Sequence, residues 1–131
     1  MTEEELKEYK KSPNWKMVFK NALHGCLYAF RTQRNFIFHS LIAFLVMSLA
    51  VWLKVSFGKT LILLLVIIFC LVVEMANTTV EKTVDLITDK WNPKAKIIKD
   101  LAAGMMLLAS VGAIAVGLLI LFPPLWQKLF G

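Results

Sequence analysis

The sequence predicts an all-α integral membrane protein, with three transmembrane helices preceded by an amphipathic helix that lies in the membrane interface. Three observations lead there. Of 131 residues, 58% are hydrophobic and the mean hydropathy is +0.66, more apolar than a soluble domain of this length has core to bury. Three apolar runs are long enough, alone or with their continuations, to cross a hydrocarbon layer. Ahead of them, apolar residues recur at three- and four-residue steps.

The stripe comes first. Trp15, Val18, Phe19, Ala22, Leu23, Cys26, Leu27 and Phe30 share one face of a helix over 14–34, with Lys16, Lys20 and Arg31 near its edges. Such a helix lies along the headgroup boundary. The residues before it, MTEEELKEYKKSPNWK, hold no apolar core and no small-residue cleavage site, so a secretory signal is not expected. The first dozen are expected to be charged and frayed.

Residues 36–53 form the first transmembrane segment, 18 residues interrupted only by His39, Ser40 and Ser48. The second begins with 13 purely apolar residues, Leu61 to Val73. That is too short alone, but MANTTVEKTVDLI continues the helical pattern to about residue 88 with no Pro or Gly, so this helix starts in lipid and projects out of it. The third, 101–122, runs 22 residues without a charge and is expected to end at Pro123 and Pro124. All four pieces are read as one domain, 1–131.

Twelve of the fifteen basic residues precede the first apolar run or lie between the second and third. Lys54, Lys59 and Lys128 are the others. The positive-inside rule then places the N-terminus and the second loop in the cytoplasm. The net charge of +6 is accounted for by a basic flank beside anionic lipid and calls for no nucleic acid. Cys26 and Cys70 read as packing residues. His24 and His39 have no partner histidine at metal spacing and read as packed or interfacial. Trp15, Trp52, Trp91 and Trp126 fall near the ends of runs, as interfacial anchors do.

Chemistry concentrates at the end of the second run. At about 100° per residue, Glu81 and Asp85 fall roughly 20° to either side of Glu74, flanked by Asn77 and Thr78. A like-charged stripe is repulsive on an isolated helix, and a charged Glu74 at the bilayer edge is costly. A divalent cation or a set of lysines would offset it. Mg²⁺ takes one or two carboxylates and shares its remaining positions with water and phosphate, which suits such a stripe. Lys94, Lys96, Lys99 and Asp100 lead into the third helix, so Lys99 and Asp100 are expected at its N-terminus, where free N–H groups favour phosphate. A solvated helix end is the plain alternative for Glu81 and Asp85. No GxxxxGK[ST], GxGxxG, HRD or DFG motif is present, and Asn77-Thr78-Thr79 matches a glycosylation sequon only by accident on a cytoplasmic segment. Ala109, Ala113 and Gly117 form a small-residue face suited to close helix contact.

The segments VEMANTTVEKTVDL and AKIIKDLAAG resemble the signature of the prokaryotic diacylglycerol kinases and their undecaprenol kinase relatives. The pattern is E-x2-N-x3-E-x3-D followed by Lys-Asp, and the likeness covers the chain from about Asn14, closer to the undecaprenol kinase branch. The resemblance implies a homotrimer in the bacterial plasma membrane with active sites shared between subunits, taking ATP and Mg²⁺ from the cytoplasm and a lipid alcohol from the membrane. It makes Glu74 the general base and Asn77 its orienting partner. Glu81 becomes the metal-binding glutamate at the nucleotide, and Lys99 with Asp100 the phosphate-handling pair. Lys90, Trp91 and Asn92 lie where the family passes the nucleotide, and Asp85 occupies a further functional position. TQRNFIFH resembles the family's E-x-N-F-x-x-H segment, with Gln33 where a second metal-binding glutamate is common; an amide oxygen coordinates Mg²⁺ but brings no charge. Two other readings stay open: a non-enzymatic cation or proton pathway along the carboxylate stripe, and a catalytically weakened family member.

Overall fold

The computed structural model of the protein describes residues 2–3 and 14–131. The stretch expected to fray, and Lys7, Lys10 and Lys11 of the orientation argument, lie outside the described residues. Among the described residues the structure is helical and contains no strand. The helices are α1 (Trp15–Thr32), α2 (Arg34–Trp52), α3 (Phe57–Ile87) and α4 (Pro93–Phe130). The chain divides after Gln33 into two compact units.

In the first unit, α1 runs 18 residues from an Asn14 N-cap, whose side chain accepts from the Lys16 N–H. At its other end the Gln33 N–H bonds to the Ala29 carbonyl. Trp15, Phe19 and Leu23 are exposed along its apolar face.

The second unit is a three-helix assembly in which α3 and α4 pack most extensively, as a hairpin joined through residues 88–92. Ala50, Leu53, Leu63, Ile120 and Leu121 form one buried cluster at the end away from that loop. Cys70, Met106 and Ala109 form a second between α3 and α4, with Ala113 packed against it. Here the small-residue face works within the chain: Ala109 lets α3 approach until the Cys70 thiol donates to its carbonyl at 3.7 Å. All three helices are long and apolar enough to span a membrane, yet only 11%, 22% and 17% of their apolar windows are buried. A water-soluble fold does not leave so much hydrocarbon uncovered.

Backbone accounting agrees with that setting, where every polar group needs an internal partner. The Ser40 and Ser48 hydroxyls bond back to the Phe36 and Phe44 carbonyls at 2.8 Å each. Beyond α2, Lys54 takes a positive φ of 53°, and the Lys54 and Val55 amides close onto Val51 and Ala50, satisfying the last carbonyls as a left-handed cap does.

Three boundaries differ from expectation. α3 begins at Phe57 rather than Leu61, so the four residues before the apolar run, Phe57 to Thr60, are already helical. α4 does not stop at Pro123 but carries both prolines inside it and ends at Phe130. Proline φ is helical, and what is lost is the donor. Side chains hold this last stretch: Phe122, Trp126 and Phe130 follow one another with ring centroids 5.9 and 4.6 Å apart, and Lys128 donates to the Trp52 carbonyl at 2.9 Å while lying over the Trp52 ring. At its start α4 begins at Pro93, capped by Asn92, whose side-chain oxygen accepts from Lys94 N and Ala95 N at 2.9 and 3.4 Å. Pro at the first helical position behind an Asn cap is a strong start signal. Lys99 and Asp100 therefore sit well inside α4, and the free N–H groups expected to serve a phosphate there lie some two turns earlier.

Candidate active site

With 31 residues, α3 is about 46 Å long at 1.5 Å per residue, so it outruns a hydrocarbon core of about 30 Å. Its polar positions occur at that surplus end. Glu74 follows the apolar run directly and is 2% exposed; Asn77, one turn on, is also buried. Glu81 and Asp85 are exposed. The stripe thus runs from dry to wet along one helix face.

Each carboxylate has a different surrounding. α2 presents Asn35 and His39 to Glu74. The Asn77 amide donates to Glu81 Oε1 at 3.3 Å. Asp85 Oδ1 takes the Lys99 ammonium of α4 at 2.6 Å, and Lys96 pairs with Asp100 one turn away on the same helix. Along the stripe, Glu74 is met by Asn35 and His39, Glu81 by an amide and Asp85 by a lysine.

Two atoms stand out. Glu74 Oε2 and Asn77 Oδ1 are buried and have no hydrogen-bond partner among the described residues. Leaving a buried acceptor unmet costs about 1–3 kcal/mol, which a fold sustains where a ligand supplies the donor.

A cavity of about 520 Å³ runs between α2, α3 and α4, from Phe38 and His39 past Cys70 and Leu63 to Leu125. Its walls are almost entirely hydrocarbon. His39 lines this cavity and lies within electrostatic reach of Glu74.

The other candidates are placed as follows. Lys90 and Trp91 are exposed in the loop between α3 and α4, where Thr88 Oγ1 accepts from the Lys90 amide. Asn92 is occupied as the α4 cap. Gln33 belongs to the first unit, and its amide donates to Thr32 Oγ1 at 3.1 Å. Among the described residues no three His, Cys, Asp or Glu side chains converge as a metal cage. Mg²⁺ takes one or two carboxylates and borrows the rest of its shell from phosphate and water, and the exposed Glu81 carboxylate could be one of them. Two participants are not singled out as site residues by the sequence: Asn35 opposite Glu74, which stands at the Asn of the E-x-N-F-x-x-H segment, and Lys96 on Asp100. Helical spacing of four residues would have found the second.

A family description, prokaryotic diacylglycerol kinase, matches residues 20–121. The chain belongs to that family. Among its relatives, the diacylglycerol kinase of Synechocystis sp. is 38% identical over 115 residues, 87% of this chain and 66% of that protein. The undecaprenol kinase of Bacillus subtilis is 40% identical over 110 residues, 82% of this chain and 89% of its own. The diacylglycerol kinase of Pseudomonas aeruginosa is 31% identical over 88 residues, 67% and 72% of the two chains. The chain thus spans just under two thirds of the Synechocystis relative and most of the Bacillus one. Members of the prokaryotic diacylglycerol kinase family are membrane phosphotransferases with an alcohol acceptor and a nucleotide co-substrate, and each residue discussed above from Gln33 to Asp100 lies inside the matched region.

Proposed function

We propose that this chain is an ATP-dependent lipid kinase that transfers the γ-phosphate to the hydroxyl of a membrane lipid alcohol, undecaprenol ahead of diacylglycerol. The observation that carries the reading is the buried Glu74 carboxylate with its unmet Oε2, directly past 13 apolar residues. A lipid hydroxyl arrives at that depth because its tails cannot leave hydrocarbon.

The hydroxyl donates to Glu74 Oε2, which takes its proton as the oxygen attacks the γ-phosphorus and the bond from phosphorus to the β–γ bridging oxygen breaks, so that ADP leaves with the electron pair. Asn77 holds the polar face in register through its bond to Glu81. Glu81 would hold Mg²⁺ carried in with the nucleotide. The bound ion supplies charge neutralisation on the phosphate oxygens. Lys99 receives the phosphates and Asp100 orders the same turn, while Lys90, Trp91 and Asn92 form the loop past which the nucleotide lies. The basic distribution supports a cytoplasmic N-terminus and second loop, so ATP meets Lys99 from the side that holds it. The functional unit is a homotrimer with sites completed by neighbouring subunits. The wide uncovered apolar surface of α2, α3 and α4 supports such association.

The test is phosphate transfer from γ-labelled ATP by purified protein in mixed micelles, with undecaprenol and diacylglycerol offered separately and Glu74→Gln beside them. Labelled lipid that disappears in the variant supports the kinase and names its acceptor. No label in either lipid at high Mg²⁺ sinks it and favours the second reading, a weakened family member, for which the uncharged Gln33 is the motivating residue.

A further inference from the structure

Lys99 is not free to meet a nucleotide. Its ammonium lies 2.6 Å from Asp85 Oδ1, on the opposite helix and 14 residues earlier. Its own neighbour Asp100 is engaged elsewhere, by Lys96 at i,i+4 within α4. The two lysines thus divide the two carboxylates between them, and the pair that crosses from α4 to α3 is the one that involves Lys99. Both of its side chains remain partly open to water, at 41% for Lys99 and 57% for Asp85.

Taking Lys99 as the phosphate-handling residue proposed above, we infer that Asp85 is the counter-ion which Lys99 gives up when the nucleotide binds, so that the Asp85–Lys99 pair sets the affinity for ATP by competing with its phosphates. The exchange is physically easy. A lysine head carries three donors on a flexible stem, so it swings between partners with little rearrangement of backbone. An ion pair this exposed holds its partners by a factor of about five at most, whereas a triphosphate offers several anionic oxygens at once. The pair therefore keeps Lys99 extended toward α3 in the empty enzyme and yields to the substrate. The inference runs opposite to the usual expectation for an acidic residue beside a metal-nucleotide site: removing its charge strengthens binding.

The experiment is calorimetric titration of the full chain in detergent micelles with Mg²⁺ and the non-hydrolysable analogue adenylyl imidodiphosphate. It compares wild type, Asp85→Asn, Lys99→Gln and the double variant, with circular dichroism on each to establish helical content. Asp85→Ser replaces Asp85→Asn if the latter does not fold. The expected result is that Asp85→Asn binds about three- to fivefold tighter, Lys99→Gln about tenfold weaker, and the double variant no tighter than Lys99→Gln. If Lys99→Gln binds as the wild type does, Lys99 is not a phosphate contact and the reading on which the inference rests fails with it. If Lys99→Gln binds weakly while Asp85→Asn is unchanged or weaker, that reading stands and the counter-ion inference is overturned. Equal tightening by Asp85→Asn with and without Lys99 also overturns it, since the effect is then simple repulsion of phosphate by a nearby carboxylate.

Discussion

Glu74 and Glu81 lie on one helix face, seven residues apart, and their surroundings separate their roles. Glu74 is buried with an unmet oxygen, so its replacement by Gln keeps the shape and removes the base. Loss of transfer by about 10²–10⁴-fold is expected, with nucleotide binding retained. Glu81 is exposed and touches only the Asn77 amide in the structure's hydrogen bonds. Glu81→Gln is expected to shift the Mg²⁺ concentration needed for half-maximal transfer upward by about tenfold, read as activity against added Mg²⁺, and a chelator is expected to abolish transfer outright. An unchanged Mg²⁺ requirement would remove Glu81 from the metal's surroundings. Gln33→Glu is the complementary change, adding the charge that the family segment commonly carries there.

At the scale of the element, α4 decides where Lys99 and Asp100 sit, and its start decides α4. Asn92 and Pro93 begin it about two turns before the pair. Asn92→Ala removes an acceptor shared by two backbone N–H groups. It is expected to cost about 1 kcal/mol of helix stability, seen as faster amide exchange over 93–97 with the exchange of α2 unchanged. If nucleotide affinity falls more than that fraying explains, Asn92 touches the nucleotide as well. The far end of α4 shows the converse. Pro123 and Pro124 carry a strong helix-ending signal, which side-chain contacts of Trp126 and Lys128 override. Local propensity is a bias that a packed neighbour outweighs.

At the scale of the whole molecule, α2, α3 and α4 expose more apolar surface than they bury, and both lipid and further copies of the chain are able to cover it. Shared sites give this a functional readout. Mixing Glu74→Gln with Lys99→Gln chains, each inactive alone, is expected to restore about a quarter or less of wild-type transfer if one site draws the two residues from different subunits. No recovery after subunit exchange, shown by crosslinking of the mixed assembly, would place both residues of each site in one chain.

What the sequence by itself determined is whatever depends on short-range periodicity and on solvent. Run lengths of 18, 13 plus its continuation, and 22 residues imply three helices in lipid, because a backbone there must bond to itself. Four-residue spacing puts Glu74, Asn77, Glu81 and Asp85 on a shared side of one helix, and the pattern they form carries the family. Tertiary structure alone decided which polar groups pair from one helix to another. The sequence places Asp85 and Lys99 14 positions apart on different helices, and nothing local says that they meet. Only the α3–α4 hairpin brings them to 2.6 Å, and only the packing of α2 on α3 brings Asn35 to Glu74. Periodicity reports which face of a helix is polar; the pairing of charges is a property of how helices dock, and docking is set by apolar contacts such as Cys70 on Ala109, far along the chain from the charges they align.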